Sequence, residues 1–164
     1  MEPAYADDSI RVFAPDGIEI VPLVMPGARY LAVVEGRIPP GEYPSHLHYS
    51  LEQVTYVLEG ELTVGTWDAA AELTREVHLK AGAAIITLPT QSLSFSNRTT
   101  RVVRVLFITA PPYPADNSDT LILEGHRAPT PDERQRSAEC HQQLIEGIRL
   151  IASARADQLR GESP

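Results

Sequence analysis

The chain reads as an all-β protein, an antiparallel sandwich or barrel. Short β-rich runs follow one another closely, Gly- and Pro-rich turns separate them, and no helical pattern lies between them before residue 110. No repeat of solenoid period is present. The length, 164 residues, fits one domain that can bury a core without disulfides or a structural metal.

The elements follow from the residues in order. Residues 1–9 form a loose, acidic arm. Ile10–Phe13 and Ile18–Leu23 flank Pro15-Asp16-Gly17, a turn signal, and predict a hairpin. Met25-Pro26-Gly27 is a break, Tyr30–Ile38 is the next strand, and Pro39-Pro40-Gly41 ends it. A strand carrying His46 and His48 comes next, then Gln53–Leu58 up to Gly60. Glu61–Trp67 and Glu72–Lys80 flank an alanine-rich turn. Ala84–Leu88, Leu93–Phe95 and Arg101–Thr109 complete the set, and Pro111, Pro112 and Pro114 close the strand region.

Beyond the strands the pattern changes. Thr130-Pro131-Asp132-Glu133 combines an N-cap, a proline at the first helical position and a glutamate three residues after the cap. Ala138, His141, Leu144, Ile145, Ile148, Ile151 and Ala152 then recur at helical spacing and predict an amphipathic helix whose stripe is a packing surface. The expected organisation is an N-terminal arm and hairpin over 1–29, a barrel over 30–112, and a connecting segment with a C-terminal helix over 113–164.

Composition excludes several functions. Lys+Arg total 14 against 22 for Asp+Glu, a formal charge of −8. That argues against nucleic-acid partners, which need a basic face, and against anionic membranes. Lys80 is the only lysine, and nothing singles it out as a nucleophile. Cys140 is the only cysteine, which rules out an intrachain disulfide and a thiolate cluster. The N-terminus lacks the apolar stretch of a signal peptide, and no run approaches the roughly 20 apolar residues of a membrane span, so a cytoplasmic address is expected. There is no phosphate loop, dinucleotide fingerprint or G-x-S-x-G elbow.

Chemistry concentrates between Pro39 and Gly60. His46 and His48 are two apart, which on a strand places both imidazoles on one face. Such a pair can fill two adjacent positions around a transition metal. The order Gly41, His46-x-His48, Glu52-Gln53, Gly60 resembles the first motif of the cupin superfamily. Gly82 to Pro89, followed by Leu93 to Asn97, is similar to the second. The resemblance spans roughly residues 30–110 and implies a small cupin barrel (a double-stranded β-helix, or jelly roll) with an N-terminal hairpin and a C-terminal helix. It also implies a homodimer.

The departures from that pattern shape the functional reading. The third-ligand position falls on Gln53 when counted back from Gly60, and on Glu52 by the shorter count from His48; adjacent strand residues face opposite ways, so only one can join the histidines. The second-motif histidine is replaced by Leu93, which cannot ligate. Ala83 and Thr90 stand where an acidic residue and a glycine are usual. His46, His48 and Gln53 form a neutral set that leaves a divalent ion (Zn, Ni, Fe or Mn) its full charge for polarising a carbonyl or enolate oxygen. With Glu52 instead, the set resembles the 2-His-1-carboxylate pattern of non-haem iron oxygenases. Leu93 and Phe95 provide an apolar wall for a substrate.

The expected activity is metal-assisted isomerisation, cyclisation or elimination on a small oxygenated metabolite, as in the uronate- and polyketide-acting cupins the chain resembles. Glu52, Tyr43 and Tyr49 are the candidate proton carriers. The alternatives are an iron dioxygenase using Glu52 and a metal-free pocket that binds a small molecule. Arg37, Arg101 and Arg104 read as a carboxylate clamp or as surface solvation. His78 reads as outward-facing and Asn97 as a turn residue; His126 is left unplaced.

Overall fold

The computed structural model describes residues 11–24, 30–68, 73–114 and 117–123, with 131, 132 and 135. The described strands are β1 (Val12–Phe13), β2 (Glu19–Pro22), β3 (Ala32–Ile38), β4 (Gly41–Glu42), β5 (His46–His48), β6 (Glu52–Glu59), β7 (Glu61–Asp68), β8 (Leu73–Lys80), β9 (Ala84–Thr87), β10 (Leu93–Asn97), β11 (Val103–Ala110) and β12 (Thr120–Ile122). They form two antiparallel sheets. One runs β1-β2-β3-β11-β6-β9; the other runs β12-β5-β10-β7-β8, with β4 pairing to β10. The all-β jelly-roll architecture expected from the sequence is the architecture observed.

Turn chemistry builds the N-terminal hairpin. Gly17 has φ +89°, which only glycine adopts without strain. The Ile18 amide donates to Asp16 Oδ1 at 3.2 Å, and the Ala14 amide donates to the Ile18 carbonyl at 2.9 Å. The turn sets Val12 opposite Ile20, and β2 then joins β3 with Val21 opposite Glu35. Gly60 (φ +90°) makes the tight β6–β7 turn; a Cβ there would lie 3.0 Å from Val103 Cγ2.

Strand periodicity decides what faces the interior. On β6, Gln53, Thr55 and Val57 are buried, while Glu52, Tyr56 and Leu58 are exposed. On β11, Val103, Val105, Phe107 and Thr109 are buried. Val34, Ile38, Val57, Leu62, Val64, Val103, Val105, Phe95 and Phe107 belong to one core. Gly36 sits opposite Val105 and leaves room for Phe107, whose Cε2 would be 2.4 Å from an added Cβ.

Asn97 is buried at the end of β10. Its Nδ2 donates to the carbonyls of Ile38 (2.8 Å) and Arg101 (2.7 Å), and its Oδ1 accepts from the Thr99 amide (3.0 Å) and hydroxyl (2.8 Å). Glu35 is also buried, and it takes Arg104 at 3.0 and 2.9 Å and Arg37 at 3.1 Å. These two arginines are therefore held at Glu35.

The two-residue β4 and the three-residue β12 carry too few residues to show a period, and the sequence does not reveal them. Pro131, Asp132 and Gln135 are helical. The rest of the expected C-terminal helix, with its stripe from Ala138 to Ala152, lies outside the described residues. So do Cys140, His126, the arm 1–9 and the alanine-rich turn. Among the described residues, no helix is long and apolar enough to cross a membrane.

Candidate functional site

The site grows from β5. All three of its residues are buried, because β10 pairs it on one side (Leu93 opposite His46) and β12 on the other (Thr120 opposite His48). His46 and His48 share a face, with ring centroids 5.3 Å apart and planes at 77°. Both look into a cavity of about 310 Å³ that Gln53 also lines. Its walls are mainly apolar: Phe95, Phe107, Ile18, Ile20, and, at the hairpin, Val12 and the exposed Phe13.

The imidazoles sit in a buried, polar cluster. Burial, reinforced by the neighbouring His48, drives the His46 pKa down to about 3, so His46 is a neutral imidazole. His46 Nδ1 lies 3.6 Å from Asp16 Oδ2, and His48 Nδ1 lies 3.6 Å from Asp119 Oδ2. His48 Nδ1 also meets Thr120 Oγ1 at 3.3 Å. His46 Nδ1, His48 Nε2 and Asp119 Oδ2 are buried without a hydrogen-bond partner. Buried polar atoms are nearly always satisfied; His46 Nδ1 and Asp119 Oδ2 each face a group of the opposite kind at 3.6 Å, and His48 Nε2 marks a place for a ligand.

Gln53 is held from two sides. Its Nε2 donates to Thr55 Oγ1 at 3.4 Å, and the Tyr113 hydroxyl makes a short hydrogen bond to its Oε1. Burial, followed by the carboxylates of Asp16 and Asp119, pushes the Tyr113 pKa up, so the phenol keeps its proton. Burial is also the largest effect on Asp16, whose pKa is raised.

The candidate residues are not all brought together. His46, His48, Gln53 and Phe95 line the cavity. Glu52 does not: on β6 it alternates with Gln53 and faces outward, exposed. Tyr43 packs beside the core and donates its hydroxyl to the Pro39 carbonyl at 3.2 Å, outside the cavity lining. Tyr49 lies in a shallow groove with Ser50, Leu51 and Pro111. Leu93 is fully buried in the core beside His46 rather than at the cavity wall. His78 is exposed, with Nδ1 2.9 Å from Thr63 Oγ1.

Sequence reasoning missed Asp16, Tyr113, Asp119 and Thr120. Asp16 carried a signal, the Pro-Asp-Gly turn, but only for backbone geometry. The others reach the site from segments 60 to 72 residues away along the chain.

Do these residues fit a metal? Among the described residues, no cluster of three or more His, Cys, Asp or Glu is placed to hold one. The donors at hand are two imidazoles and an amide oxygen. The orphaned His48 Nε2, with Nδ1 turned to Asp119 and Thr120, has the arrangement of a ligating imidazole. By donor type, two imidazoles and an amide oxygen suit a divalent ion that accepts nitrogen and oxygen ligands.

Comparison with known proteins bears on the fold. A family model described as "Cupin domain" matches residues 26–109, just over half of the chain. The chain is similar to an oxalate decarboxylase from Lactobacillus farciminis, solved with formate (19% identity, TM-score 0.59, 71% of this chain and 34% of that one). It therefore spans about a third of that protein's length. It is also similar to an uncharacterised double-stranded β-helix protein from Klebsiella pneumoniae (22% identity, TM-score 0.53, 73% and 95% covered). A third likeness is to the Streptomyces nucleoside dehydratase Pac13 (14% identity, TM-score 0.59, 76% and 92% covered). A comparison with curated proteins returns no match. At these identities the structural likenesses show the fold alone. Asp16, Tyr113 and Asp119 lie outside the matched segment, while His46, His48 and Gln53 lie within it, and the chain belongs to the cupin domain family.

Proposed function

We propose that this cupin is an enzyme acting on a small oxygenated metabolite by proton transfer next to a carbonyl or enol, with isomerisation, cyclisation or elimination as the outcome. One observation carries the reading: two like-faced, buried imidazoles with unpartnered nitrogens open, together with Gln53, onto a mostly apolar cavity. His46, His48 and Gln53 would hold a divalent transition metal. When bound, such an ion supplies Lewis acidity at a substrate oxygen.

The chain's own residues do the rest. Thr55 and Tyr113 fix the Gln53 amide, so its oxygen keeps one orientation. The Asp16 carboxylate, which lines the same cavity, accepts the α-proton, and Tyr113, protonated and at the cavity, supplies one, roles that Glu52, Tyr43 and Tyr49 do not fill from outside the cavity lining. Phe95 and Phe107 exclude water from the reacting end and receive the apolar part of the substrate. The dioxygenase alternative needs Glu52 as a ligand, and Glu52 points away from both histidines.

The test is α-proton exchange. Acetophenone in D₂O, followed by NMR with metal content measured in parallel, should exchange faster with the wild-type protein than with the His46→Ala/His48→Ala variant. The double variant should also lose its metal. If both metal content and exchange survive the substitutions, the proposal is wrong. Ligand binding that is indifferent to chelator, in protein without stoichiometric metal, would instead favour the metal-free pocket.

A further inference from the structure

Two buried carboxylates each face one imidazole of the pair. Asp16 arrives on the N-terminal hairpin, with Oδ1 anchored by the Ile18 amide (3.2 Å) and Oδ2 3.6 Å from His46 Nδ1. Asp119 arrives just before β12. Its Oδ1 takes the Ser50 amide at 2.8 Å and, by a short bond, the Ser50 hydroxyl; its Oδ2 lies 3.6 Å from His48 Nδ1. Both aspartates are buried (8% and 7% exposed). In each, one oxygen is fixed by the backbone and the other is aimed at the same ring position of a histidine.

We infer that Asp16 and Asp119 are positioning residues that hold the Nδ1 side of His46 and of His48, leaving Nε2 as the ligating nitrogen of each ring. The inference rests on the reading of this site as a divalent-ion centre. A carboxylate behind a ligating imidazole fixes its tautomer and raises its basicity. Neither aspartate belongs to the family-matched segment, so the chain outside that segment supplies this orientation.

The experiment uses zinc alone, with affinity read by chelator competition, on the full chain and on Asp16→Asn and Asp119→Asn. Asparagine keeps the shape and the backbone hydrogen bonds. Each variant should bind zinc about ten- to a hundredfold more weakly. Each should also melt at the wild-type temperature when metal-free; a structural role would lower that midpoint instead. Long-range ¹H–¹⁵N NMR of the metal-free wild type should show both rings as the Nδ1–H tautomer. Nε2–H tautomers, or unchanged zinc affinity in both variants alongside zinc binding that His48→Ala abolishes, would overturn this inference and leave the catalytic reading standing. Absence of zinc binding in the wild type would remove both.

Discussion

β5 and β10 are neighbours, and Leu93 faces the same side of the sheet as the paired His46, yet the two strands do opposite work. β5 offers two imidazoles with unpartnered nitrogens. β10 offers Leu93 and Phe95, both sealed from solvent, with the Phe95 ring 6.0 Å from His46 and 5.5 Å from Phe107. Polar donors are therefore gathered on one side, and β10 serves as a wall. The lesson is that groups from beyond the family-matched segment reach the site: Asp16 from the hairpin, Tyr113 after β11, and Asp119 before β12.

The largest effect should come from breaking the wall. Phe95→Ala removes a large buried ring from the core and the cavity rim, and should cost about 3–5 kcal/mol of stability in urea unfolding. A loss below about 1 kcal/mol would mean that the wall collapses around the gap and holds no defined shape. Converting the wall into a donor strand sharpens the contrast. Leu93→His places a third imidazole beside His46, and zinc should bind at least about tenfold tighter, or about 1.4 kcal/mol. Unchanged affinity would show that β10 does not face the donors.

A smaller effect separates two kinds of buried carboxylate. Glu35 is held below the usual carboxylate range first by its hydrogen bond to Arg104 and then by Arg37, whereas at Asp16 burial dominates and raises the pKa. A depressed folded pKa adds stability above the unfolded value of about 4.3, and that stability is lost as pH falls through the folded value. The half-exposed Arg104 is screened by water, so the contribution is on the order of 1 kcal/mol. Glu35→Gln should lower the unfolding free energy at pH 7 and flatten its fall below about pH 4.3. An unchanged acid limb would place the sensitivity elsewhere. The smallest effect is expected at Glu52: exposed and turned from the cavity, Glu52→Gln should leave zinc affinity and α-proton exchange unchanged. A loss of both would restore the carboxylate-ligand reading.

Much of this was legible in the residues. The two-residue spacing of His46 and His48 fixes their shared face on any strand, and the count from Gly60 selects Gln53; burial of residues 53, 55 and 57 on β6 follows the same alternation. What was not legible depends on closure of the chain in three dimensions. Tyr113 stands in a proline-rich run with no period, and Asp119 reads as a turn residue; the pairing of β12 with β5 brings Asp119 to His48, and the chain after β11 brings Tyr113 there. Leu93 read as a cavity wall because it shares a face with His46, but β10 lies deep enough that only Phe95 reaches the cavity. Tyr43 and Tyr49 bracket the histidines in sequence, yet β5 is only three residues long, and the chain diverges from the cavity at both ends.

The central claim is that His46, His48 and Gln53 form a single divalent-ion centre. Cobalt(II) titration of tag-free, metal-stripped protein, followed by visible absorption, tests it directly. The account predicts saturation at one ion per chain, with bands characteristic of nitrogen ligation that vanish in His46→Ala/His48→Ala. Absorption identical to free aqueous cobalt, or bands that persist in the double variant, would contradict it.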